Sequence, residues 1–171
     1  MLKSLTIKNY LLIDELSVSF NNGFTVITGE TGAGKSVLVG GISLILGKRA
    51  DLSVNRDKSK KCIIEGVFDI GSYNLKSLFD DQELDYDTET ILRREISSSG
   101  KSRAFINDSP VNLGQLSAIG SKIIDIHSQY QNLEILEDDF QFNILDSISN
   151  NNDNCLLYTS PSPRDATLSR M

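Results

Sequence analysis

Eight residues hold the most specific chemistry in this sequence of 171 residues. Gly29-Glu30-Thr31-Gly32-Ala33-Gly34-Lys35-Ser36 fits the pattern GxxxxGK[ST] at every fixed position. The glycines let the backbone turn tightly and bring its N–H groups to phosphate oxygens. A helix running on from Ser36 points the positive end of its dipole at the same anions. Lys35 sets a compact cation against the β- and γ-phosphates. The Ser36 hydroxyl is a hard oxygen ligand suited to Mg²⁺. All eight residues are therefore expected to cradle a nucleoside triphosphate, with Ser36 on the metal.

Hydrolysis needs more than this loop: a carboxylate to hold Mg²⁺ through water, and a group to orient the attacking water. Leu11-Leu12-Ile13-Asp14-Glu15 imitates the required apolar run followed by acids. It precedes the loop by only 14 residues, and strand polarity is expected to leave its acids at a turn. Ile123-Ile124-Asp125 lies after the loop, on an expected core strand, and offers Asp125 as a metal-site acid or as a strand-end cap. Gln129 follows by four residues. Its neutral amide suits either contact with Mg²⁺ and water or a surface loop. His127, the sole histidine, reads as structural.

Two basic groups stand out. Lys48, Arg49, Arg56, Lys58, Lys60 and Lys61 follow the expected phosphate-loop helix and could meet a nucleic-acid backbone, or form a solvated face. Arg93, Arg94, Lys101 and Arg103 cluster on an expected hairpin, where pairing with Glu95 or a nearby acidic loop competes with an anionic partner.

The elements that must position these groups are legible in the alternation of residue types. Leu5 and Ile7 alternate with polar neighbours, as do Val18 and Phe20, and predict two strands. Asn21-Asn22-Gly23 is a turn, and Phe24–Thr28 predicts a short buried strand leading into the loop. The run from Ser36 to Leu46 is apolar almost all round and predicts a buried helix. Gly40 and Gly41 weaken it, so close packing must support it, and Gly47 is a plausible terminator. Lys48–Lys61 reads as an exposed loop. Further strands are expected at Cys62–Ile70, Thr90–Ser97 and Ser102–Asn107, the last two joined by Ser98-Ser99-Gly100-Lys101. Residues 80–89, with six acids in ten, read as a solvated loop. Asn112 is expected to cap a helix reaching Lys122. Ile123–Ile126 predicts a buried strand and Glu137–Ile148 an amphipathic helix.

Composition bounds the rest. Hydrophobic residues make up 39% and charged residues 23%, a globular balance. No apolar run approaches the roughly 18 residues of a membrane span, and Lys8, Asn9, Asp14 and Glu15 break up any leader-like segment. A cytoplasmic location is expected, with no membrane partner. Cys62 and Cys155 are far apart and form no metal-binding pair. The net charge of −6 is uneven: residues 1–60 hold 8 Lys/Arg against 5 Asp/Glu, and residues 61–171 hold 9 against 18. That excludes a small basic nucleic-acid module but not a local basic patch. Residues 149–154 read as a linker. Residues 155–171 have no usable periodicity, and we expect them to be foreign to the native chain, which the complete reading frame would test.

The ordered set LTIKNYLLIDELSVSF (5–20), TGETGAGKSVL (28–38), LGKRAD (46–51), LRREISSSGKSRAFINDSPV (92–111) and IIDIHSQYQ (123–131) resembles the RecN family. These are SMC-like, ABC-type ATPases of bacterial DNA repair. The resemblance spans residues 1 to about 148. It implies an α/β P-loop NTPase fold: the N-terminal lobe of a head, with a mixed sheet and an antiparallel β subdomain. Residues 149–171 then form a linker and tail. It implies ATP and Mg²⁺ as ligands, and Gln129 as the Q-loop glutamine touching metal and water, serving catalysis with Lys35. It implies DNA facing Lys48 and Arg49, homodimers that sandwich ATP between heads, and a place at the nucleoid. The sequence reads Ser128, Tyr130 and Gln131 where the family usually has Gly, His and Glu. No LSGG-type signature, heptad run or Walker B acid follows, so the implied lobe is incomplete for hydrolysis. A different reading is a small stand-alone P-loop kinase or NTPase using Asp125. A third is an inactive, marginally stable fragment.

Overall fold

The computed structural model describes residues 1–30, 34–51 and 53–126. Two long strands open the chain: β1 (Leu2–Tyr10) and β2 (Ile13–Ser19). They form an antiparallel hairpin that sets Leu5 against Val18 and Ile7 against Leu16. Period-two alternation sends these apolar residues to one face and Thr6, Lys8, Glu15 and Ser17 to the other.

After helix α1 (Lys35–Ile45) come β3 (Cys62–Asp69), the short α2 (Lys76–Asp81), β4 (Glu89–Ile96), β5 (Ser102–Ile106), β6 (Ser109–Val111) and α3 (Leu113–Ile123). The described strands make one antiparallel sheet in the order β2-β1-β3-β4-β5-β6. This sheet is the antiparallel part of the expected architecture. Its buried face carries Leu5, Ile7, Cys62, Ile64, Phe68, Leu92, Ile96 and Ile106.

Two glycine contacts seat α1 on this face. A Cβ on Gly41 would come within 3.1 Å of Ile7 Cδ1, and one on Gly40 within 3.0 Å of the Tyr10 hydroxyl. The helix gives up intrinsic propensity there for close approach to β1, as expected. Gly47 ends the helix at φ +97°, with its N–H donating to Leu44 O and that of Lys48 to Ser43 O. This is a Schellman ending that requires the left-handed residue. Helix α3 lies alongside, with Ser117 packed against Gly47 and Gly120 against Leu46.

Several elements differ from expectation. Residues 24–28 are not a strand, and Phe24, Val26 and Ile27 are exposed at 94%, 64% and 51%. A β-branched run becomes a strand only when a neighbour accepts its ladder bonds, and no described strand lies beside it. Helix α1 buries only one face, through Gly41, Leu44 and Ile45, while Val39 stays exposed. The Ile123–Ile126 strand is also absent. Ile123 is instead the last residue of α3, one turn beyond the buried Ile119, so its burial belongs to a helix face. The acidic stretch starts inside α2, where Phe79 meets Tyr86 edge-to-face with centroids 5.4 Å apart. The expected helix 137–148 lies outside the described residues.

Candidate nucleotide-binding site

Helix α1 begins at Gly34, which takes φ +89° as its N-cap, a conformation that favours glycine. No side chain caps this end, and its first turn holds no acid. The first intrahelical bonds run from Val37 N and Leu38 N to Gly34 O, so the N–H groups of Lys35 and Ser36 are left over. Helix α3 is built the other way. Asn112 accepts from Gln115 N at 2.9 Å while Gln115 Oε1 accepts from Asn112 N at 3.1 Å. One helix start is closed by its own side chains; the other is left without a side-chain cap.

Lys35 completes that arrangement. Its ammonium folds back over the loop and donates to the carbonyls of Gly29 and Glu30, the latter at 2.6 Å. An ammonium has three donors, so one remains for a phosphate oxygen. Gly29, Glu30, Gly34, Lys35 and Ser36 are thus brought to one helix start. Thr31, Gly32 and Ala33 lie outside the described residues. The fit to a triphosphate rests on these groups. For Mg²⁺, the described loop offers the Ser36 hydroxyl.

The other hydrolytic candidates fare differently. Asp14 and Glu15 lie on β2 rather than at the turn, which falls on Leu11-Leu12. Glu15 pairs with Lys8 at 2.8 Å and Asp14 with Arg56 at 3.7 Å. They serve surface ion pairs. Asp125 is exposed and follows α3 without a core strand, which removes the placement that recommended it. Gln129 and His127 lie outside the described residues. Among the described residues, no group of three His, Cys, Asp or Glu side chains is placed to hold a metal.

The basic loop is more ordered than its composition predicts. Asn9, at φ +55°, donates to Asp57 O and Lys60 O at 2.9 and 3.0 Å and accepts from Asp57 N at 2.7 Å. Asn55 donates to Lys60 O at 2.9 Å, and Val54 and Asn55 are buried. These two asparagines escaped the sequence reading. For Asn9 the signal was an Asn near a strand end, where a left-handed residue fits, and Asn55 gave none. Arg56, Lys60 and Lys61 pair with Asp14, Asp57 and Glu95. Lys48, Arg49 and Lys58 have no ion pair among the described residues, and Lys48 and Arg49 are exposed just past α1. On the hairpin, Arg93 lies 3.8 Å from both Glu65 and Glu95 and stacks over Phe105 at 4.7 Å. Its neighbour Arg94 is buried.

Residues 4–158 match the AAA domain family. The DNA repair protein RecN of Vibrio cholerae is 38% identical over 154 residues, covering 90% of this chain and 28% of that protein. The DNA repair protein RecN of Bacillus subtilis is 40% identical over 151 residues, covering 87% and 26%. The chain therefore spans about a quarter of the length of these relatives. A chain from the structural biochemistry of ATP-driven dimerization and DNA-stimulated activation of SMC ATPases superposes with a TM-score of 0.60 at 18% identity. It covers 86% of this chain and 98% of that one. The fold is thus that of an SMC-type ATPase head lobe. The chain belongs to the AAA domain family, and its similarity within that family runs to the N-terminal part of RecN.

Proposed function

We propose that residues 29–36 bind the triphosphate of ATP and that the chain is the N-terminal lobe of an ATPase head serving DNA double-strand-break repair. The observation that carries this reading is the uncapped, glycine-started N-terminus of α1 with the Lys35 ammonium folded across it. The N–H groups of Gly34, Lys35 and Ser36 are donors of fixed direction, so they hold phosphate oxygens without reorganisation. Lys35 exchanges loop carbonyls for the β- and γ-phosphate oxygens. Mg²⁺, held by Ser36 and by Gln129, neutralises phosphate charge when bound. Lys48 and Arg49 face DNA, and the lobe belongs to a homodimer that sandwiches ATP between heads in the bacterial cytoplasm, at the nucleoid. RecN relatives named for DNA repair support the setting. Among the described residues, no helix is long and apolar enough to cross a membrane.

The direct test is equilibrium titration of the chain with a fluorescent ATP analogue. Lys35→Ala should weaken binding at least tenfold, the loss of about 1.4 kcal/mol. Equal affinity in Lys35→Ala and the parent chain would reject the site. In the full-length protein, Arg49→Ala should reduce DNA binding with a smaller salt dependence.

A further inference from the structure

Arg94 is 3% exposed, and its Nε has no hydrogen-bond partner. A buried guanidinium is ordinarily paired, because removing a charge from water without an acceptor costs several kcal/mol. Strand alternation explains why the nearby acids do not serve. Arg93 and Glu95 point to the outer face of the sheet, where they meet each other and Glu65. Arg94 points to the other face, with Ile64 and Ala104 as its cross-strand neighbours. Burial lowers its pKa from the ordinary guanidinium value, and no carboxylate offsets that effect.

The same side chain lines a cavity of about 630 Å³ with Ser102, Arg103, Ala104, Asn112 and Leu113. The fold makes this space in two ways. Strand β6 pairs only with Ala104, Phe105 and Ile106, leaving Ser102 and Arg103 beyond its reach. Ala104, opposite Arg94, is small. The chain then turns at Asn112 into α3, whose N-terminus borders the cavity. The capping box satisfies the N–H groups of Asn112 and Gln115, so those of Leu113 and Gly114 are the ones the helix leaves over. Arg103 is exposed and has no ion pair among the described residues. The buried Arg94 guanidinium, the Ser102 hydroxyl and the positive end of α3 border this space, and among the described residues no carboxylate pairs with Arg94, while Arg103 stands opposite Glu95 on the outer face.

We propose that Arg94 and the N-terminus of α3 form a second anion site, separate from the phosphate loop, that takes a two-oxygen anion, either a carboxylate or a phosphate. The two Nη groups of a guanidinium match two oxygens side by side. The apolar wall of Ala104 and Leu113 suits a group carried on a larger ligand.

The test uses the 171-residue chain carrying Lys35→Ala, so that the phosphate loop does not report. The Arg94 Nε–H resonance and the Leu113 and Gly114 amides are followed by nitrogen-15 NMR. Sodium phosphate and sodium acetate are each added against sodium chloride at equal ionic strength. We expect a saturable shift of all three signals with at least one of the two anions and none with chloride. Phosphate alone acting assigns the site to a phosphate-bearing ligand, and acetate alone to an acidic side chain. Arg94→Gln should abolish the shifts at Leu113 and Gly114. Arg94→Lys, which keeps charge but loses the fork, should weaken them at least tenfold and covers the case in which Arg94→Gln does not fold. Shifts equal in chloride, absent with both anions, or undiminished in both variants would overturn the proposal.

Discussion

At the scale of single residues, the fold leans on polar side chains placed where the backbone alone has no partner. Asn9 is the clearest case. Its left-handed conformation lets one amide answer both ends of the turn at Asp57–Lys60. Asn9→Gly keeps the permitted φ and removes only the three bonds, which separates hydrogen bonding from strain. We expect a loss of about 2 kcal/mol or more, seen as a lower urea midpoint at unchanged slope. Cys62 shows the same logic for ionisation. Burial pushes its thiol up from 9.0 to about 11, and Tyr10 is raised for the same reason, with Cys62 adding to it. A raised acid pKa in the folded state leaves stability intact below the unfolded value and erodes it as pH climbs through the folded one. The urea midpoint should therefore fall between pH 9 and 11, and Cys62→Ala should flatten part of that slope while Tyr10 keeps the rest. A slope identical in both proteins would refute the assignment.

At the scale of elements, what could be read in the sequence depended on whether an element finds its partners nearby. The β1–β2 and β4–β5 hairpins and the capped helix α3 follow from local alternation or capping, because their partners are adjacent in the chain, whereas β3 was legible from its own alternation although it pairs with the distant β1. The start of α1 at Gly34 was legible for the same reason, since a glycine that takes a left-handed φ sets it locally. Asn55 and Arg94 were not legible, because their environments are set by residues some forty positions away or by cross-strand register. Residues 24–28 failed from the opposite cause. Their composition is that of a buried strand, yet Phe24, Val26 and Ile27 stand exposed beside the loop. An exposed apolar run of this kind marks a surface made to be covered. Phe24→Ser with Ile27→Ser should therefore leave the melting temperature of this chain nearly unchanged. In the full-length protein the same pair should lower it by several degrees, since about 1 kcal/mol moves the midpoint by roughly 2–4 °C in a larger domain. Equal effects in the two would show that the run is not covered by the rest of the polypeptide.

At the scale of the whole molecule, the described residues hold the parts proposed to bind a triphosphate and place none that would split it. On the proposed reading the loop would stabilise phosphate charge through the main-chain amides at the start of α1 and the Lys35 ammonium. In-line attack also needs a group to orient water and an acid shell around the metal. Asp14 and Glu15 are engaged in surface pairs, and Asp125 has no core strand to place it. Binding without those groups lowers the energy of the bound nucleotide and its transition state about equally, which gives affinity but no rate. The chain alone should therefore bind ATP and turn it over no faster than Lys35→Ala within error, measured as released phosphate at saturating nucleotide. Supplying the remaining three quarters of a full-length relative's length in one polypeptide should raise turnover by at least a hundredfold, the least that one well-placed proton-transfer or water-orienting group contributes. Turnover by the isolated chain that is abolished in Lys35→Ala would mean that a water-positioning group lies within these 171 residues. Gln129→Ala would then be the next variant to measure, because the resemblance assigns that role to Gln129.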